Sequence, residues 1–231
     1  MQTVLAAFKF LTICGSFGAR NPTPDTIGKA AGYFIYVGLL LGLALALANY
    51  VLASHLDAAI LSLVLVALLI TATGARHLSG LKDSFAELGG FAGGGNEALG
   101  FAAVALIILF KSAAAESMDQ IASLSWLLTP VLARWGLVIF LYGYHTRFDE
   151  TVRQIAEHTN FVPVLASTAA TLALLAYFLG RKGLWIALAV SIFALSLRAL
   201  FFRRHAVVSR SNLGAIVELG EALSLVLLAS L

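Results

Sequence analysis

Charge is scarce in this chain. Aspartate, glutamate, lysine and arginine make up 12% of its 231 residues, where a soluble globular domain carries roughly 25%. That deficit excludes an ordinary water-soluble domain. In its place stand 60% hydrophobic residues and a mean hydropathy of +0.93. Cysteine occurs once, at Cys14, so no intramolecular disulfide can form, and the residue reads as a small apolar filler. No GxxxxGK phosphate loop is present. There is no low-complexity tail and no removable signal peptide is expected. The net charge of +3 does not signal nucleic acid, because the basic residues cluster at the ends of apolar runs, as membrane topology demands.

Apolar runs longer than about 18 residues, enough to cross a bilayer as helices, recur along the chain. The expected fold is therefore all-α. It is a polytopic membrane helical bundle of about seven transmembrane helices with a short N-terminal interfacial helix, forming one integral membrane domain over residues 1–231. Residues 4–13 are too short to span and hold Lys9, which gives an interfacial or re-entrant helix. Pro24 and Asp25 signal a helix start near Thr26. The spans are placed at 32–53, 57–74, 98–115, 121–144, 161–179, 183–202 and 213–231. Polar segments separate them at 75–97, 145–160 and 203–212. With the N-terminus in the cytoplasm, Lys9, Arg20, Lys29, Arg76, Lys82, Arg147, Arg153, Arg203, Arg204 and Arg210 fall inside. Only Arg181 and Lys182 fall outside. Such an excess orients the chain and gathers the three polar segments on one cytoplasmic face of the inner membrane, where they can build one site.

The interval 75–97, ARHLSGLKDSFAELGGFAGGGNE, is the longest polar and glycine-rich stretch, and it carries the candidate chemistry. Asp83 and Glu87 are four apart, so a helix would project both to one side. Two hard carboxylates on one face can hold Mg²⁺ together with phosphate oxygens, although such pairs are also common on solvated faces. Arg76 and His77 could bind a phosphate or sit at headgroup level. Inside the apolar runs, Arg134, Arg198, Glu218 and Glu221 are costly enough in lipid to face the bundle interior and pair. The expected pairing joins Glu218 or Glu221 to Arg134 or Arg198. Its weight is even between holding the bundle together and a direct functional role.

Five blocks occur in a familiar order: FLT (10–12), TIGKAAGYFIYVGLLLG (26–42), TGARHLSGLKDSFAEL (73–88), LTPVLARWGLVIF (128–140) and LGAIVELGEALSLVLLA (213–229). Together they resemble the cobalamin-5′-phosphate synthase family, the adenosylcobinamide-GDP ribazoletransferases. The resemblance implies an integral membrane, Mg²⁺-using transferase of cobalamin assembly. Such an enzyme joins α-ribazole or its 5′-phosphate to adenosylcobinamide-GDP and releases GMP. By this resemblance Asp83, His77, Glu218 and Glu221 would be catalytic. Arg76, Lys82, Arg134 and Arg210 would bind substrate, and Asp83 and Glu87 would hold the metal. The implied partners are the corrinoid nucleotide, α-ribazole and the lipid membrane, with no nucleic acid; a homo- or hetero-oligomer stays open.

The chain departs from the pattern at positions that bear on chemistry. Where the family loop runs roughly H-L-D-G-x-x-D-x-x-D-G, Ser79, Asp83 and Ala86 stand at the three aspartate positions, with Glu87 following. A later D-S-R-x-G-x-x-G interval is shortened to GGFAGGGNEALG. The T-G-D before the last span is Ser209, Arg210 and Ser211. An early Arg and Pro are replaced by Ile13 and Gly15. Phosphoryl transfer is mostly positioning and charge neutralisation. A non-catalytic scaffold or corrinoid-binding subunit on the same fold is therefore the second reading, with a small-solute transporter the third.

Overall fold

The computed structural model describes residues 2–13, 22–89, 95–118, 121–143, 146–205 and 207–231. Cys14, Gly15, Arg20 and most of the glycine run after Leu88 lie outside the described residues. The chain is helical throughout, with one isolated parallel bridge, Phe148 to Val208, among the described residues. Short helices α1 (Gln2–Leu11) and α2 (Pro24–Lys29) lead through a 3₁₀ turn (Ala31–Tyr33) into α3 (Phe34–Leu52). Then follow α4 (Ala58–Thr73), α5 (Arg76–Leu88), α6 (Glu97–Glu116), α7 (Ala122–Leu141), α8 (Glu150–Glu157), α9 (Phe161–Arg204) and α10 (Arg210–Ala229).

Among the described residues, five helices are long and apolar enough to span, or six if the bent pair α4–α5 is one crossing. The 44-residue α9 is two helices meeting at Gly180, whose φ of 56° and ψ of −134° break the helical path. A Cβ on Gly183 would lie 2.5 Å from the Leu175 carbonyl oxygen. Residues eight apart approach so closely only if the chain folds back on itself. Counting the two arms separately brings the crossings to as many as seven.

Helix α7 is the axis. From Ser125 to Leu141 nearly every residue is buried, which a lipid-facing helix would not show. Helix α3 lies against it through Gly38 and Gly42, where a Cβ would come within 2.5 Å of the Pro130 carbonyl oxygen and 2.1 Å of the Leu127 carbonyl oxygen. Small residues four apart let two membrane helices approach at backbone distance. Pro130 sits inside α7 without ending it. Buried neighbours on both sides supply the contacts that hold such a helix together.

The interval 75–97 is less of a loop than its glycines suggest. Its first half is α5, an amphipathic helix that buries His77, Leu78, Gly80, Leu81, Ser84 and Ala86. A turn of 91° separates it from α4. That turn uses two left-handed residues, Gly74 (φ 64°) and Ala75 (φ 55°). Ala75 pays a steric penalty there that glycine would not. Helix α5 then packs across the start of α10, with Gly80 against Gly214: a Cβ on Gly80 would lie 2.3 Å from the Ser211 carbonyl oxygen.

The three polar segments expected to meet do meet at one end of the bundle. Phe148 and Val208 bridge 145–160 to 203–212, through Val208 N–H to the Arg147 carbonyl (2.7 Å) and Asp149 N–H to the Val208 carbonyl (3.0 Å). Glu87 at the end of α5 lies 2.9 Å from His205 Nδ1. Arg181 and Lys182 lie at the α9 break, and Lys182 donates to the carbonyl of Leu231 (3.1 Å).

Candidate functional site

Two helix N-termini open into one cavity. The first residues of α5, Arg76, His77, Ser79, Gly80 and Asp83, face the first residues of α10, Arg210, Ser211, Leu213 and Gly214, across a space of about 200 Å³. Phe10 and Leu137 complete the lining. Local sequence explains the juxtaposition. The Gly80–Gly214 crossing permits backbone approach. Asn212 ties the helices together by accepting from Ser209 N–H (2.7 Å) and donating to Ser84 Oγ (2.9 Å). The volume is smaller than the roughly 300–1,000 Å³ that encloses a drug-sized ligand. It suits one charged group, with any larger body held outside.

The charge in the cavity is positive. Arg76 and Arg210 contribute two guanidiniums, against one carboxylate, Asp83. Arg76 is steadied by donating to the Lys9 carbonyl (3.1 Å), and Arg210 lies over the Phe10 ring, 5.2 Å from its centroid. The two helix starts add the positive ends of two helix dipoles, although the Ser209–Asn212 capping box takes up part of the N–H groups of α10. His77 is buried and its Nε2 has no hydrogen-bond partner among the described residues. Of the expected site residues, Arg76, His77, Asp83 and Arg210 therefore come together.

The others do not line the cavity, although Arg134, Glu221 and Lys111 stand within electrostatic reach of His77. Lys82 turns toward α6, with Glu97 at 2.9 Å and Asp83 at 3.2 Å. Glu87 is on α5 but outside the lining, against His205. Arg134, Glu218 and Glu221 form a buried ion cluster between α7, α10 and α6, together with Lys111. Lys111 Nζ donates at 2.5 Å to both Glu218 and Glu221, and Arg134 Nη1 donates to Glu221. All four side chains are 3% exposed or less. The expected Arg134 pairing is thus with Glu221.

Arg198 does not join the cluster as expected. It donates to the carbonyls of Tyr142 (2.5 Å) and Gly143 (3.2 Å) and stacks over Phe148 and Phe202. It lies near the end of α9, so its long side chain reaches the polar end of the bundle instead of the interior. Lys111, inside the span placed at 98–115, is the member of the cluster that is not among the intramembrane charges named from the sequence. A lysine flanked by IILF and SAAA in a lipid-length run was the signal that could have found it. With two carboxylates answered by two cations, the buried charges leave no need for a solute path to explain them.

The donor set in the cavity suits a phosphate better than Mg²⁺. Magnesium takes octahedral oxygen coordination, with one or two carboxylates and phosphate or water oxygens. Here Asp83 is the one carboxylate lining the cavity, Lys82 already competes for it, and two guanidiniums would repel a cation. Among the described residues, no group of three His, Cys, Asp or Glu side chains is arranged to hold a metal.

The chain matches the family model described as cobalamin-5-phosphate synthase over residues 3–229. A protein from Geotalea daltonii named adenosylcobinamide-GDP ribazoletransferase is 29% identical over 254 aligned positions, covering all of this chain and 98% of the relative. Two further proteins of that name are similar. One from Pseudomonas fluorescens strain Pf0-1 is 33% identical, with 90% of each chain covered. One from Acinetobacter baumannii is 29% identical, with 93% of this chain and 92% of the relative covered. No solved structure matches. The Geotalea alignment exceeds this chain by 254 − 231 = 23 positions, so that relative carries at least 23 residues with no counterpart here.

Proposed function

The chain belongs to the cobalamin-5-phosphate synthase family, and from that premise we propose that it transfers α-ribazole, or its 5′-phosphate, to adenosylcobinamide-GDP with release of GMP. The observation that carries this reading is the cavity between α5 and α10. It offers two guanidiniums, two helix N-termini and an unpartnered imidazole nitrogen to a group about the size of a phosphate. Helix N-termini are ready-made sites for phosphate oxygens. The corrinoid, too large for the cavity, would lie outside it and present its diphosphate inward.

In the transfer, a ribazole hydroxyl oxygen forms a bond to the phosphorus attached to cobinamide, and the bridging P–O bond to GMP breaks. Charge develops on the phosphoryl oxygens and on the departing GMP. Arg76 and Arg210 neutralise it, which is the main work a protein does in phosphoryl transfer. His77 Nε2 accepts the proton of the attacking hydroxyl. The buried Lys111–Glu218–Glu221–Arg134 cluster lies outside the cavity lining; it fixes α10 against α6 and α7 and so holds Arg210 and Ser211 in place. The cavity faces the cytoplasm of the inner membrane, in keeping with the excess of lysine and arginine at that end.

The test is release of GMP from adenosylcobinamide-GDP and α-ribazole by the purified protein in detergent. Turnover that falls in Arg210→Gln supports the reading. A second reading is favoured by one observation: Ser79, Ala86 and Ser211 stand where the resemblance calls for carboxylates. On that reading the chain is a corrinoid-binding or scaffolding subunit. Binding of adenosylcobinamide-GDP with no GMP released under any condition would select it.

A further inference from the structure

We propose that the cavity between α5 and α10 is a metal-independent phosphate seat, in which Arg76 and Arg210 take the oxyanion charge that a divalent cation would otherwise neutralise. The proposal rests on reading this cavity as a phosphate site and goes beyond it by fixing how the phosphate is held. Three departures from the motifs of the resemblance each raise the local charge by one. Ser79 and Ser211 stand where the resemblance calls for aspartate, and Arg210 where it calls for glycine. All three line the cavity. The lining holds two guanidiniums and one carboxylate, that carboxylate 3.2 Å from Lys82 Nζ, and Asp149 stands outside the lining within electrostatic reach of Arg210.

Glu87, the second carboxylate on this face of α5, is drawn to His205 at 2.9 Å. A cation entering here would meet repulsion from both arginines and find one shared ligand. A phosphate monoester would meet the guanidiniums of Arg210 and Arg76 and the Ser79 and Ser211 hydroxyls, beside the unpartnered Nε2 of buried His77. Arginine presents a planar pair of donors matched to phosphate oxygens. The two serines can donate where aspartates would repel.

Calorimetric titration of the full-length protein in detergent, with GMP and separately with inorganic phosphate as probes, tests this. Affinity should agree within about twofold between buffers containing Mg²⁺ and EDTA. Arg210→Gln should weaken binding roughly ten- to hundredfold, the worth of a hydrogen bond to a charged group. Arg210 is exposed, so unchanged elution and melting will show the variant folded. Asp83→Asn should bind at least as tightly as the natural chain. Ser211→Asp should weaken binding in EDTA and regain it with Mg²⁺, since it adds a hard oxygen ligand. Binding seen only with Mg²⁺ and lost in Asp83→Asn would overturn the proposal and leave the cavity as a phosphate site. Binding unaffected by Arg210→Gln would overturn it too. No binding of either probe in either buffer would sink both the proposal and the phosphate reading of the cavity.

Discussion

Replacing Lys111 by methionine is the most informative perturbation of the bundle. Lys111 is 1% exposed, and its ammonium donates to both Glu218 and Glu221. The cluster is neutral as built, Lys111 and Arg134 against Glu218 and Glu221. Lys111→Met leaves a net charge of −1 in a site closed to water, and Glu218 loses the one ion-pair partner found for it among the described residues. Breaking a buried pair by removing one member costs about 3–5 kcal/mol. For a chain of this length that corresponds to a fall in melting temperature of roughly 6–20 °C. Adding Glu218→Gln to Lys111→Met restores neutrality while Arg134 and Glu221 keep each other, so the double variant should melt well above the single one. Glu221→Gln should be worse than Glu218→Gln, because Arg134 then loses its carboxylate while Lys111 keeps one in either variant. Thermal unfolding of the four variants in one detergent, followed by intrinsic fluorescence, reads this directly. A Lys111→Met/Glu218→Gln protein no more stable than Lys111→Met would refute the charge-balance reasoning.

The α5–α10 crossing should be intolerant of bulk. Gly80→Ala places a carbon 2.3 Å from the Ser211 carbonyl oxygen and should cost about 1–3 kcal/mol and lower GMP release. Gly136→Ala, whose new carbon would meet Val190 Cγ1 at 3.6 Å, should melt like the natural chain, so equal effects of the two would discount the close approach. His77→Ala should slow GMP release roughly 10²–10⁴-fold, the usual worth of a general base, while GMP affinity falls far less. Equal losses in both would make His77 a binding or packing residue. Ser79→Cys in a Cys14→Ala background should resist membrane-impermeant thiol reagents applied outside intact cells, since Ser79 is exposed at the end assigned to the cytoplasm. Ready labelling there would reverse the orientation.

The long helices were legible because lipid demands apolar runs of fixed length, and that demand leaves little ambiguity. The α5 helix was harder to see. Its glycines and charges read as a loop, yet His77, Leu78, Leu81 and Ser84 recur at helical spacing on one buried face. That face is polar in part because it packs on α10, whereas hydrophobic patterning marks only faces that meet an apolar core. The Arg134–Glu221 contact was legible because an arginine in lipid must find a carboxylate. Lys111 and the inward convergence of two helix starts were not. Both depend on which helices become neighbours, and single-chain periodicity carries no information about that.

The cluster and the cavity also differ in how freely their residues can change while the helical framework is kept. Arg134, Lys111, Glu218 and Glu221 are locked together, so changing any one leaves a buried charge exposed to the full desolvation penalty. Ser79, Asp83 and Arg210 sit at an exposed cavity mouth, where one charge can replace another at little structural cost. Substitution at the mouth can therefore change the charge offered to a ligand without disturbing the helices that present it. On the proposed reading the fold constrains where a phosphate would sit, and the residues at two helix starts set what would hold it there.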